Sequence, residues 1–155
     1  MDGKYESGKG IYTVGDVALM TGLNPRTIRE YLRRGLLKGE KTAAGWRFTA
    51  EQFVALISHP EVERSIRAKD QGIVLDFLSQ KKKAAPAACV ILDLPIGPDG
   101  EEGLRERLLA LNGEGLSFRY RQEGVMARIT ATGSPNQLAD LLKEMAPNPC
   151  NRKDI

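Results

Sequence analysis

The chain has 155 residues, enough for one ordinary domain or two small ones, and its 41% hydrophobic and 28% charged residues are those of a globular chain rather than a disordered one. Two cysteines (Cys89, Cys150) and one histidine (His59) are too few and too scattered for a disulfide framework or a zinc site, so reduced thiols, no metal and no cofactor are expected. The net charge of +3 is unevenly spread. Between Arg26 and Arg47 seven basic residues stand against two acidic ones, a net +5, whereas from Ala88 to Ile155 eight basic residues meet ten acidic ones. Attraction for a polyanion is therefore concentrated at one end, and the two ends are expected to do different jobs.

Residues 1–10 are polar and read as a flexible N-terminus. They lack the apolar run of a secretory signal, and no stretch approaches the ~20 apolar residues of a membrane helix, so a cytoplasmic protein without membrane contact is expected. Thr13, with Asp16 three residues on, is an acidic variant of the capping box at the start of a helix that Gly22 ends. Asn24-Pro25 repeats the start signal, because asparagine caps well and proline fits the first helical position, and a second helix is predicted from Pro25 to Arg34. Ile28, Tyr31 and Leu32 form its packing face, while Arg26, Thr27, Arg29, Glu30, Arg33 and Arg34 occupy the remainder. Gly35 stops it. KGEKTAAGWRFT then reads as a small β-hairpin carrying Lys38, Lys41 and Arg47, with Trp46 and Phe48 closing a little core. Thr49 caps a further helix running to Ile57.

Pro60 opens a helix of about twenty residues, assigned to 60–83, whose stripe of Val62, Ile66, Ile73, Val74, Phe77 and Leu78 is interrupted by Lys69 and Asp70. KKKAAPAA has linker composition, and a domain boundary is placed at Ala88. From there the order is strand (Cys89 to Leu94), helix (Glu101 to Asn112), a hairpin in which Leu116, Phe118 and Tyr120 alternate with Ser117, Arg119 and Arg121, and Val125, Ala127 and Ile129 with Met126, Arg128 and Thr130, and a helix capped by Ser134 with Leu138, Leu141, Leu142 and Met145 as its apolar face. The fold class is α+β. A winged helix-turn-helix at 11–58 and a linking or dimerisation helix at 60–83 precede a β-α-β-β-α dimerisation or sensing domain at 88–146 and a tail at 147–155. By element order the C-terminal domain resembles a ferredoxin-like unit without its last strand, its first strand at or near an open sheet edge and Arg119, Arg121 and Arg128 on one sheet face pointing away from the helices.

Two short helices joined by a tight turn hold the second against the first and project its outer face into a major groove, which admits a helix and presents distinguishable base edges. Arg26, Thr27 and Glu30 are the candidates for base contact; Arg29, Arg33 and Arg34, with Lys38, Lys41 and Arg47 on the wing, suit phosphates and flanking DNA. The competing reading for Glu30 is a helical ion pair with a neighbouring arginine. No nucleophile with a histidine partner and no phosphate-cradling loop stands out, so no enzyme is expected.

These residues carry a resemblance. Tyr12-Thr13-Val14-Gly15-Asp16-Val17-Ala18, Thr21-Gly22-Leu23, Pro25-Arg26-Thr27-Ile28-Arg29, Gly35-Leu36-Leu37 and the Gly45-Trp46-Arg47 wing look like the DNA-binding domain of MerR-type transcription regulators, with a secondary likeness to excisionase-type winged helices. The resemblance covers about a third of the chain. It implies double-stranded DNA as partner, Arg26, Thr27, Arg29 and Arg47 at the DNA, a homodimer joined by a helix after the DNA-binding domain, and RNA polymerase or another protein as a further partner. MerR members usually place an aromatic at the position of Glu30 and an acid at that of Leu32, so base contacts do not carry across. The alternative is an excisionase-like or architectural factor acting with a protein partner.

Overall fold

The computed structural model describes residues 10–80, 83–96 and 101–145, with residues 101 and 102 described in backbone only. The expected flexible N-terminus and the tail lie almost wholly outside these residues.

Local chemistry sets the first elements. Ile11–Tyr12 forms a two-residue strand, β1, which the sequence pattern does not announce; it pairs antiparallel with Phe48 and Thr49. The Gly10 N–H donates to Glu106 Oε1 at 2.6 Å, fixing where the strand begins. Helix α1 spans Val14–Thr21 and has both halves of the capping box, Asp16 N–H to Thr13 Oγ1 and Thr13 N–H to Asp16 Oδ2, each at 3.0 Å. Gly22 ends it in the left-handed region at φ 77°. Helix α2 is Pro25–Arg34, capped by Asn24 and again ended by a left-handed glycine, Gly35. Strands β2 (Glu40–Thr42) and β3 (Gly45–Thr49) form the hairpin, in the sheet order β1-β3-β2. Helix α3 (Ala50–Ile57) starts at a Thr49–Gln52 capping box.

Helix α4 runs Pro60–Ser79, shorter than the 60–83 assigned from sequence, with the His59 imidazole Nδ1 accepting the Glu61 N–H as its N-cap. Strand β4 is Ala88–Pro95, α5 Glu101–Ala110, β5 Ser117–Glu123, β6 Met126–Gly133 and α6 Pro135–Met145. The second sheet is antiparallel throughout in the order β4-β6-β5, which leaves β4 at an edge. One face carries Val90, Leu92, Ile129, Ala131, Phe118 and Tyr120 and packs with the apolar sides of α5 and α6, where Leu104, Leu108, Leu138, Leu141 and Met145 are buried. The sequence alternation is kept except at Val125, which is 72% exposed beside the left-handed Gly124 of the turn.

The opposite face is covered in part, over β5 and β6. Helix α4 packs against β5 and β6, bringing Asp70 within 3.9 Å of Arg121. Arg119, Arg121 and Arg128 do share this face, as their alternation predicts, but Arg119 and Arg121 are largely buried beneath α4, and only Arg128 stays exposed. The expectation that they point away from the helices holds for α5 and α6 only. Asp70, read as an interruption of the apolar stripe, is 6% exposed because it turns toward these arginines.

Packing also crosses the expected boundary at Ala88. Helix α1 lies against β5. Phe53 of α3 contacts Tyr120 of β5, with ring centroids 6.3 Å apart, and Tyr12 at 5.3 Å. Arg105 of α5, 1% exposed, donates through Nε to the Tyr12 hydroxyl at 2.8 Å and through Nη1 to Tyr120 at 3.3 Å, its guanidinium within 6 Å of the Tyr12, Phe53 and Tyr120 rings. A buried guanidinium needs such partners, since an unpaired one carries a large desolvation cost. Here they come from both halves of the chain.

Candidate nucleic-acid interface

Helix α2 has two chemically opposite sides. Ile28 and Tyr31 are buried, with Leu32 packed against the same core. At 100° per residue Arg26, Arg29, Glu30 and Arg33 fall on the other side, spaced i, i+3, i+4 and i+7. Arg26, Arg29, Arg33 and Arg34 are all exposed, Glu30 and Thr27 partly so. The Asn24 cap accepts the Arg26 N–H at 2.9 Å and so fixes the start of this face; Pro25 at the first position presets the backbone. Thr21 is the last residue of α1, its hydroxyl donating back to the Val17 carbonyl at 2.6 Å and accepting the Leu23 N–H of the turn at 3.2 Å.

The hairpin adds a second charged element. Glu40 pairs with Arg47, Lys41 with Trp46 and Thr42 with Gly45 in register, so Lys41 stands on the free edge of the hairpin. Lys38 and Lys41 are exposed, while Arg47 is half-buried and donates to the Trp46 carbonyl at 2.8 Å. Phe48 is buried against Gly39, where an added Cβ would fall 2.5 Å from the ring, so a glycine at that position lets the hairpin close. Trp46 packs against the core at partial burial.

The nine sequence-selected residues are not equivalent. Arg26, Arg29, Lys38, Lys41 and Arg47 make no ion pair among the described residues, leaving five cations without an acidic partner there. Glu30 is engaged by Arg33, the helical ion pair weighed for it above. Arg34 donates bidentately to Glu61 at the start of α4, at 2.9 and 3.0 Å. That hydrogen bond raises the pKa of Arg34 further and lowers that of Glu61 below the usual carboxylate range. The first-turn acid at Glu61 is legible in sequence as a helix-start signal, but its arginine partner lies 27 residues away.

Residues 13–48 match the family model described as MerR family regulatory protein. This MerR-type segment covers α1, the turn, α2 and the hairpin, the same elements that present the cations. No curated protein and no solved structure matches the chain. The MerR-type domain supports a DNA-binding transcription regulator. Among the described residues no helix is long and apolar enough to cross a membrane, and no group of three or more His, Cys, Asp or Glu residues is placed to hold a metal ion. Burial pushes the Cys89 thiol pKa up, away from the range of a reactive thiolate.

Proposed function

We propose that the protein is a homodimeric transcription regulator that reads the major groove with α2 and grips flanking DNA with the β2–β3 hairpin as its wing. The observation that carries this reading is the exposed cationic side of α2, set opposite the Ile28 and Tyr31 stripe and flanked by Lys38 and Lys41. Arg26 and Thr27, at the start of α2, are positioned by the Asn24 cap for base edges, and a bidentate arginine suits guanine. Arg29, Arg33, Lys38, Lys41 and Arg47 take phosphates. Glu30 orients Arg33 while keeping an acceptor for cytosine, and Arg34, held by Glu61, fixes the helix end nearest the backbone.

The test is equilibrium binding to a duplex selected from a random library, measured across a salt series. Five phosphate contacts per protomer give a log–log salt slope of about −4.5, roughly twice that for a dimer on two half-sites. Arg26→Ala lowers discrimination between the selected duplex and a scrambled one by about 1–3 kcal/mol. Lys41→Ala weakens both duplexes alike and reduces the slope by about one per protomer. Binding that ignores salt, or a selection that returns no sequence, refutes the reading.

A further inference from the structure

The edge of β4, which no described residue pairs with, is a self-complementary surface, and we infer that a second copy of this chain pairs with it about a twofold axis at Ile91. The inference deepens the homodimer proposed above by naming the element that joins it.

Backbone direction comes first. Pro95 lies opposite Met126 and has no N–H, while the next residue, Ile96, donates its N–H to the Val125 carbonyl at 2.7 Å. In an antiparallel ladder bonded and non-bonded pairs alternate, so the even-numbered residues of β4 bond to β6. Cys89, Ile91, Asp93 and Pro95 therefore turn their backbone polar groups outward, and proline sits where a sheet tolerates it. Three successive outward residues with an N–H, Cys89, Ile91 and Asp93, make a template for another strand.

Side chains then select the partner and the register. Ile91 is 57% exposed at this edge, and on the same sheet face Leu75 and Leu78 of α4 are 61% and 70% exposed. Ile91 and Leu75 line one groove of about 380 Å³ with Val74, Arg121 and Arg128. On the other face α6 packs on β4 and leaves Leu142 40% exposed. Directly opposite residues must lie on the same face, so a symmetric antiparallel pair shifts its axis one residue at a time along β4. With Ile91 on the axis, Ile91 meets the partner's Ile91, Leu92 the partner's Val90, and Cys89 the partner's Asp93, forming about six ladder hydrogen bonds with every donor present. Moving the axis to Leu92 sets Ile91 against the partner's Asp93 and places Pro95, without its donor, opposite the partner's Cys89. Moving it to Asp93 opposes two carboxylates, which is destabilising. In the favoured register Asp93 keeps its own Arg128 at 2.7 and 2.9 Å. The strand at the other sheet edge, β5, already packs with α1.

Sedimentation velocity of the full chain without DNA tests this, so that failure of the strand pairing and failure of the DNA reading are separate results. The wild-type chain is expected at twice its monomer mass. Ile91→Pro removes the outward N–H while sparing the bonds to β6, and Ile91→Lys sets two cations on the axis; both are expected at monomer mass with circular dichroism unchanged. In a Cys89→Ser, Cys150→Ser background, Ile91→Cys is expected to be bridged to its twin by a short bismaleimide, whereas Lys41→Cys is not. A monomeric wild type, a dimer that survives both substitutions at Ile91, or bridging no better at residue 91 than at residue 41 overturns the inference. Loss of salt-dependent DNA binding with the dimer intact counts against the DNA reading alone.

Discussion

Gly22 and Gly35 end α1 and α2 with the same backbone, φ 77° at each, yet alanine at the two positions is expected to cost different amounts. A left-handed alanine costs roughly 1–2 kcal/mol on steric grounds alone. At Gly35 nothing lies within 4 Å of the added Cβ, so that cost is the whole effect. At Gly22 the Cβ falls 2.3 Å from Arg119 Nε and 2.9 Å from its Cδ, so the arginine must leave. It then loses the hydrogen bond from Nη1 to the Phe118 carbonyl, 2.7 Å, of the charged kind whose net contribution is about 1.5–3 kcal/mol. Part of that returns, because burial holds the Arg119 pKa down and a displaced guanidinium regains water. Gly22→Ala is therefore expected to cost about 1 kcal/mol more than Gly35→Ala, some 2–3 kcal/mol in all. Urea unfolding at unchanged m measures both, and Arg119→Ala is introduced into each background. The added substitution should erase the excess at Gly22 and act independently at Gly35. Equal losses at the two glycines, or an excess that survives removal of the Arg119 side chain, refute the placement of that arginine against the turn between the helices.

Arg105→Leu removes a buried cation bonded to tyrosines from both halves of the chain, and a loss of about 3–5 kcal/mol is expected, lowering Tm by about 6–20 °C in calorimetry. A wild-type melt in two separate steps contradicts the shared core. Burial holds the Asp70 pKa above its ordinary value against the opposing fields of Arg121, Arg128 and Arg119. Between the unfolded and the higher folded pKa the native state binds more protons, so Asp70 makes stability fall as pH rises through that window. Asp70→Asn is expected to remove this slope from the pH dependence of urea unfolding, and an unchanged slope rejects it. Thr49→Ala breaks the capping box of α3, with an expected cost of about 1 kcal/mol by the same measurement; no loss means that α3 is held by packing alone.

Most element boundaries were legible in the sequence because the signals that set them act within four residues. Thr13 with Asp16, Asn24 with Pro25, Thr49 with Gln52 and the two left-handed glycines each satisfy backbone groups of their own helix. The cationic side of α2 was legible for the same reason, since about half a helical turn separates it from Ile28 and Tyr31. What the sequence hides depends on partners far along the chain. Arg105 reads as an ordinary charge on α5, yet its acceptor, Tyr12, lies 93 positions earlier. Asp70 reads as a flaw in an apolar stripe, yet its counter-charge is on β5. Glu61 reads as a first-turn acid, and only the fold shows that it holds Arg34 out of the freely presented cations. Periodicity tells which side of an element is charged; it carries no information about what covers that side.

That distinction bears on how the two halves can act together. The C-terminal half holds the N-terminal one through, among others, Arg105 on Tyr12, Tyr120 on Phe53, and Arg119 on the Gly22 turn. All three leave from α5 or β5, while β4 lies two strands away with its edge open. Among the described residues, then, the helices proposed to read DNA are held from α5 and β5, and the self-association proposed for β4 uses a different strand. A change at the β4 edge has to pass through β6 to reach Arg119 on β5. The polar contacts on that route are Arg128 with Asp93 across β4 and β6, and Arg121 with Asp70 between β5 and α4. The arginines of the α4-facing side of the sheet thus lie between the proposed dimer edge and the turn that sets the angle between α1 and α2.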